Sequence, residues 1–201
     1  MDWGTSLPGK SIAVFCGSST GADPAYAAAA RVLGAALAAQ GLELVYGGGN
    51  VGLMGVIADA ALAGGGTVTG VIPEALMARE IGHTGLTDLR VVGSMHDRKA
   101  MMASLADAFI AMPGGFGTFE EFFEVVTWTQ LGLHAKPAGL LNVDGFYAPL
   151  IDFLDRATAA GFIKPPHRAM VLDDADPERL LARLLVAEPP SVIKWITPRE
   201  A

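Results

Sequence analysis

The run Met112-Pro113-Gly114-Gly115-Phe116-Gly117-Thr118-Phe119-Glu120-Glu121 brings an anion cradle and a carboxylate within one turn of each other. It follows the apolar residues Ala108 to Met112, which read as a buried strand, and leads into helical spacing from Thr118. A glycine-rich turn between strand and helix leaves backbone N–H groups free and aims the positive end of the helix at one spot, the usual seat of a phosphate. Gly114, Gly115, Gly117 and Thr118 are the candidate phosphate ligands, and Glu121 is the carboxylate one turn inside. The same letters fit a capping box, Thr118-x-x-Glu121, in which both side chains only satisfy the helix's own N–H groups, for about 1 kcal/mol. The local pattern leaves both readings open.

Two further stretches bear on the same chemistry. Met95-His96-Asp97-Arg98-Lys99 puts two cations at the start of a helix, where they oppose the helix dipole, so the placement needs a reason outside the helix. Arg98 offers a planar fork suited to phosphate or carboxylate. The competing reading is a solvated helix start, or a pair with Asp97 or Asp107. Gly47-x-Gly49-x-x-Gly52 matches a dinucleotide-binding fingerprint between strand and helix, with Glu74 about where a ribose-binding acid would stand. Against a nicotinamide enzyme, the pattern occupies the second strand–helix turn and not the first. Gly4-x-x-x-x-Gly9-Lys10-Ser11 spells a P-loop but precedes a strand instead of following one, and is read as a coincidence. His83, His96, His134 and His167 lack metal-ligand spacing, and no Gly-x-Ser-x-Gly elbow or Cys/His pair occurs.

These residues need elements to position them. Ser11 to Cys16 is a strand ending in the small polar loop Gly17-Ser18-Ser19, and Pro24 opens an Ala-rich helix to Gln40, stopped by Gly41. Leu42 to Tyr46 is a strand that meets Gly47-Gly48-Gly49, and a helix follows from Leu53 to Ala63. Thr67 to Ile72 is a strand ended by Pro73, and Met77 to Thr87 reads as a mobile loop. Asp88 to Val92 is a short strand, and Ser94 caps a helix from Met95 to Leu105. After the central strand and helix, Pro137 to Leu141 and Met170 to Leu172 are strands, Tyr147 to Ala160 and Pro177 to Ala187 helices, and the tail from Glu188 an appendage.

Solid apolar strands alternating with helices predict an α/β fold: a Rossmann-like, doubly wound parallel sheet, three-layer α/β/α, in a single domain. Ligands of such sheets bind beyond the carboxyl ends of the strands. The loops at Gly17, Gly47 and Gly114 share that edge, which adds Ser18, Gly48 and Gly49 to the candidate ligand contacts.

Composition bounds the partners. A chain of 201 residues with 51% apolar and 17% charged residues is long and apolar enough to bury a full core and is not disordered. A net charge of −7 argues against nucleic acid, while a small phosphorylated ligand remains compatible with a locally positive pocket. The single cysteine, Cys16, fits a reducing compartment. The first residues lack the basic start and apolar core of a signal peptide, and no apolar stretch is long enough to span a bilayer, so a cytoplasmic protein is expected. The segment Phe119 to Trp128 is apolar around most of its girth, and its surplus predicts helix-on-helix dimerisation.

Three motifs in order, Tyr46-Gly47-Gly48-Gly49-x-x-Gly52-Leu53-Met54-Gly55, Ser94-Met95-His96-x-Arg98-Lys99 and Pro113-Gly114-Gly115-x-Gly117-Thr118-x-x-Glu121, resemble the LOG (Lonely Guy) family. Its members are cytokinin riboside 5′-monophosphate phosphoribohydrolases, historically labelled possible lysine decarboxylases. The likeness runs from about Ser11 to Leu185 and includes Leu140-Leu141-Asn142-Val143-Asp144-Gly145-Phe146-Tyr147. It implies hydrolysis of the N-glycosidic bond of an N6-modified AMP, and of plain AMP as a further candidate, without a cofactor. It makes Arg98 and Glu121 the catalytic pair, the Gly114–Thr118 turn the phosphate loop, Glu74 a residue near the base and Lys99 part of a ligand motif. It also implies a homodimer. Asp97 stands where the family often has Glu, and Phe116 where Tyr is common. Two alternatives are a non-catalytic nucleotide or molybdenum-cofactor carrier of the same fold, and a pyridoxal-phosphate enzyme using Lys99.

Overall fold

Seven short apolar runs become seven parallel strands: β1 (Ser11–Phe15), β2 (Glu43–Tyr46), β3 (Val68–Pro73), β4 (Asp88–Val92), β5 (Ala108–Ala111), β6 (Ala138–Leu141) and β7 (Val171–Asp174). They form one sheet in the order β4-β3-β2-β1-β5-β6-β7 in a computed structural model that describes residues 10–77 and 82–188. Helices α1 (Pro24–Ala39), α2 (Gly52–Ala63), α3 (Glu74–Met77), α4 (Met95–Leu105), α5 (Phe116–Gln130), α6 (Ala148–Ala159), α7 (Pro165–Arg168) and α8 (Pro177–Val186) connect or follow the strands. The Rossmann-like three-layer architecture expected from the alternation is the one observed.

The strands are solid apolar runs because both faces are covered. On one face Ile12, Val14, Leu44, Tyr46 and Ile110 pack under α1, α2 and α8. On the other, Ala13, Phe15, Val45, Phe109 and Ala111 pack under α4, α5 and α6. β1, β3, β5 and β6 are buried along their whole length, whereas β4, an outer strand, exposes Asp88 and Arg90. Fully burying side chains of this size contributes roughly 1.5–3 kcal/mol each, which fixes the sheet and leaves the loops at its carboxyl edge to do the chemistry.

Several expectations are corrected. Pro73 is the last residue of β3 and not its stop, and α3 follows directly. The stretch 77–87 is not simply a loop: Met77 ends α3, Gly82 forms an antiparallel bridge with Gly49, and His83 is buried. Residues 78–81 lie outside the described residues, as do most of the Gly4–Ser11 motif and the tail beyond Glu188. Ser11 opens β1, so the motif runs into a strand and not into a helix and has no P-loop context. α5 begins at Phe116, two residues before the expected Thr118, because Gly115 takes the cap position.

Candidate active site

The strand order reverses between β1 and β5, and the turns leaving those strands meet there. Gly17 N donates to Pro113 O (3.1 Å) and Leu53 N donates to Gly17 O (3.0 Å), so the turns after β1, β2 and β5 are tied together. From the far side the buried Tyr147 hydroxyl donates to Met112 O (2.7 Å) and fixes the start of the glycine turn. A cavity of about 270 Å³ opens against this junction, lined by Ser18, Tyr26, Leu53, Gly114, Gly115 and Phe146 among others. Such a volume suits a small ligand or part of one.

Gly115 caps α5 without a side-chain hydrogen bond, and Thr118 and Glu121 are both buried inside the helix. The capping-box reading therefore fails: Thr118 is past the cap. The glycines divide by what surrounds them. A Cβ on Gly114 would lie 2.2 Å from Thr118 Oγ1 and 2.9 Å from Gly17 N, so close packing excludes any other residue. A Cβ on Gly115 or Gly117 would meet nothing within 4 Å, and neither has a left-handed φ. The fold makes no demand for glycine at these two positions. They leave clear space in front of the positive end of a 15-residue helix, as an anion seat requires.

Glu121 faces Arg98 of α4, with Nη1 to Oε1 at 3.9 Å, and the two side chains are only 7% and 10% exposed. Arg98 is thus neither a solvated helix start nor a partner of the nearby aspartates. Asp97 accepts from Ser94 Oγ (2.7 Å), and Asp107 accepts from Ser11 N (2.8 Å). Arg98 Nη2 donates to Gly47 O (3.2 Å), an approach that only glycine permits, since a Cβ on Gly47 would fall 1.9 Å from Nη2. Arg98 Nε is buried without a hydrogen-bond partner, a cost of about 1–3 kcal/mol that a structural ion pair would not leave standing. Next to the pair, burial and the Glu121 charge raise the Cys16 thiol far above its ordinary pKa, Arg98 opposing, so Cys16 is an inert neighbour and not a nucleophile.

The other predicted residues separate. Lys99 turns away to Glu120 and to Glu124 (3.1 Å), both on α5. Burial lowers its pKa, but hydrogen bonds and charge from those two carboxylates outweigh it and leave a net rise. A lysine held as a paired ammonium is a poor Schiff-base former. Glu74 is exposed at the first turn of α3. Gly48 and Gly49 are engaged within the protein: Gly48 O accepts from His83 N (3.0 Å), and Gly49 bridges Gly82. Gly47, Gly48 and Gly49 thus serve contacts with Arg98 and the 82–83 segment. Ser18 lines the cavity beside Gly114 and Gly115. The sequence reading missed Tyr147 as an anchor and Gly47 O as the acceptor for Arg98; the second was signalled by the triple glycine.

A family model described as possible lysine decarboxylase matches residues 54–184. The cytokinin riboside 5′-monophosphate phosphoribohydrolase of Rhodococcoides fascians is 53% identical over 176 residues, covering 87% of this chain and 89% of that protein. The Arabidopsis thaliana enzyme of that name, LOG7, is 51% identical over 180 residues, covering 90% of this chain and 83% of its own. In fold alone, the molybdenum cofactor carrier protein of Chlamydomonas reinhardtii superposes with a TM-score of 0.67 at 22% identity, over 89% of this chain and 99% of that one. The chain belongs to the family described as possible lysine decarboxylase, on its LOG branch.

Proposed function

We propose that this protein is a nucleoside 5′-monophosphate phosphoribohydrolase acting on cytokinin nucleotides, that is, N6-modified adenosine 5′-monophosphates. Identity near one half over most of the chain to enzymes so named supports the activity. The buried Arg98–Glu121 pair, with Glu121 on the helix whose start carries the uncrowded Gly115 and Gly117, is the observation that carries it to particular residues. Water adds to the anomeric carbon, the bond to the base nitrogen breaks, and the base leaves with a proton as ribose 5-phosphate forms. Positive charge develops on the sugar in that transition state. The Glu121 carboxylate stabilises it and orients or deprotonates the water, worth roughly 10²–10⁴-fold. The start of α5 seats the phosphate through the Gly115 and Gly117 amides, with Thr118 and Ser18 at its flanks. Arg98 holds Glu121 in place and presents its remaining donors to the substrate.

AMP is proposed as a second substrate, and the working form as a cytoplasmic homodimer. The single cysteine, buried, fits that compartment, and no helix among the described residues is long and apolar enough to cross a membrane. Incubation with N6-isopentenyl-AMP and with AMP, followed by chromatography of the free base, tests the activity. Base release is expected from both and should fall at least 100-fold in Glu121→Gln with the fold intact. A Glu121→Gln variant with normal turnover removes that residue from the chemistry, and a wild-type protein that binds AMP without releasing adenine would be a carrier.

A further inference from the structure

Arg98 is held by the carbonyl of Gly47, which lies in a run of three glycines, the least self-supporting kind of backbone. Something outside the run must fix that carbonyl. The segment after α3 does so: His83 N donates to Gly48 O (3.0 Å), and Gly82 bridges Gly49. His83 is 7% exposed, and both ring nitrogens are used. Nδ1 accepts from Gly85 N (3.1 Å), so the ring proton is on Nε2 and is donated to Asp59 Oδ1 on α2 (2.9 Å). The Asp59 side chain is 69% exposed. An ion pair or hydrogen bond so placed adds little stability, about 0–1 kcal/mol. A displacement near 1 Å at a reacting group, by contrast, can cost about 10²-fold in rate.

We propose that Asp59 and His83 are positioning residues that fix the Gly47–Gly49 turn and through it aim the Arg98 guanidinium at Glu121. For the rate, this rests on the phosphoribohydrolase reading; for the geometry, it stands alone. Asp59→Ala is the cleaner variant, because the side chain is exposed and alanine favours the helix. It should lower kcat about tenfold, with KM within about twofold because the Gly114–Thr118 turn is untouched, and with Tm unchanged. His83→Ala should lose at least as much, and the double variant no more than His83→Ala alone, since the pair acts as a unit. His83→Gln, whose amide can still donate to Asp59, should recover part of the loss.

Hydrogen exchange of the buried Arg98 Nε–H, read by NMR on arginine-labelled protein, reports the guanidinium without any substrate. It should accelerate about tenfold in Asp59→Ala and stay unchanged in Glu178→Ala, a surface variant on α8. Unchanged exchange in Asp59→Ala overturns the proposal, as does a fall in activity that only tracks the folded fraction. If His83→Ala does not fold, Asp59→Ala decides. Accelerated exchange in a protein that releases no base upholds the positioning and defeats the phosphoribohydrolase reading instead.

Discussion

His134 carries the cost of burying a titratable group without a counter-charge. Its ring lies 5.4 Å from that of Phe109 and 6.3 Å from that of Trp128, Nδ1 accepts from Lys136 N (3.3 Å), and Nε2 is buried without a partner. Burial, with repulsion from Lys136 second, lowers its pKa from the ordinary 6.5 to about 4. The folded value lies below the unfolded one, so the unfolded chain takes up the proton first as pH falls. The contribution of neutral His134 is fully present above pH 6.5 and is lost as pH falls toward 4. Urea unfolding across that window should show falling stability, and His134→Gln should flatten the slope by up to one proton. An unaltered slope in the variant would assign the pH dependence to other groups. Residue-scale chemistry was legible where a side chain broke a local rule: Arg98 sits against the dipole of its own helix, and the structure gives the reason in Glu121 and Gly47. Lys99 breaks the same rule for a different reason. One position along a helix is about 100° around it, which turns Lys99 from the site to Glu120 and Glu124.

Glycine roles belong to the turns that carry them, and two alanine substitutions separate those roles. At Gly115 there is room for a methyl group and no left-handed φ, so the chain-entropy gain of Gly115→Ala offsets the poorer capping by alanine, and Tm should stay nearly unchanged. Its methyl group would enter the space proposed for the phosphate, so KM for AMP should rise about tenfold while kcat changes little. At Gly47 the new Cβ collides with the flexible end of Arg98, at 1.9 Å from Nη2. Gly47→Ala should therefore fold but lose roughly 10–100-fold in kcat, with KM nearly unchanged. Steady-state kinetics beside thermal melts reads both. A Gly115→Ala enzyme with wild-type KM would remove the start of α5 as the phosphate seat. The long elements were legible through their end signals and length, and α4 matches residue for residue, Ser94 cap included. α3 and α7, at four residues each, are too short for any period to show.

At the scale of the molecule, alternation of strands and helices predicted the parallel sheet but not the strand order, which places the loops after β1 and β5 together. Nor did it reveal contacts such as Asp59–His83, which joins residues 24 positions apart with no shared motif. The same layering bears on assembly. Met95, Phe116, Leu131, Leu133, Phe153 and Phe162 are exposed on or beside α4, α5 and α6, the layer that carries Arg98 and Glu121. The opposite layer of α1, α2 and α8 exposes Val32 and Val186. Within the monomer α5 already packs Phe119, Phe122, Phe123 and Val125 inward, so the surplus lies at its two ends: Phe116 at its first position, 92% exposed, and Leu131 and Leu133 after it. Large apolar groups gathered on one side favour association through that side. Sedimentation equilibrium is expected to give about twice the chain mass of 20.8 kDa. Leu133→Glu should return the protein to one chain mass, whereas Val32→Glu on the opposite layer should not. Because Phe116 lies between Gly115 and Gly117, loss of the dimer should also change KM. A Leu133→Glu protein that stays dimeric would move the interface off this face, and a monomeric wild type would leave the exposed side chains to another partner.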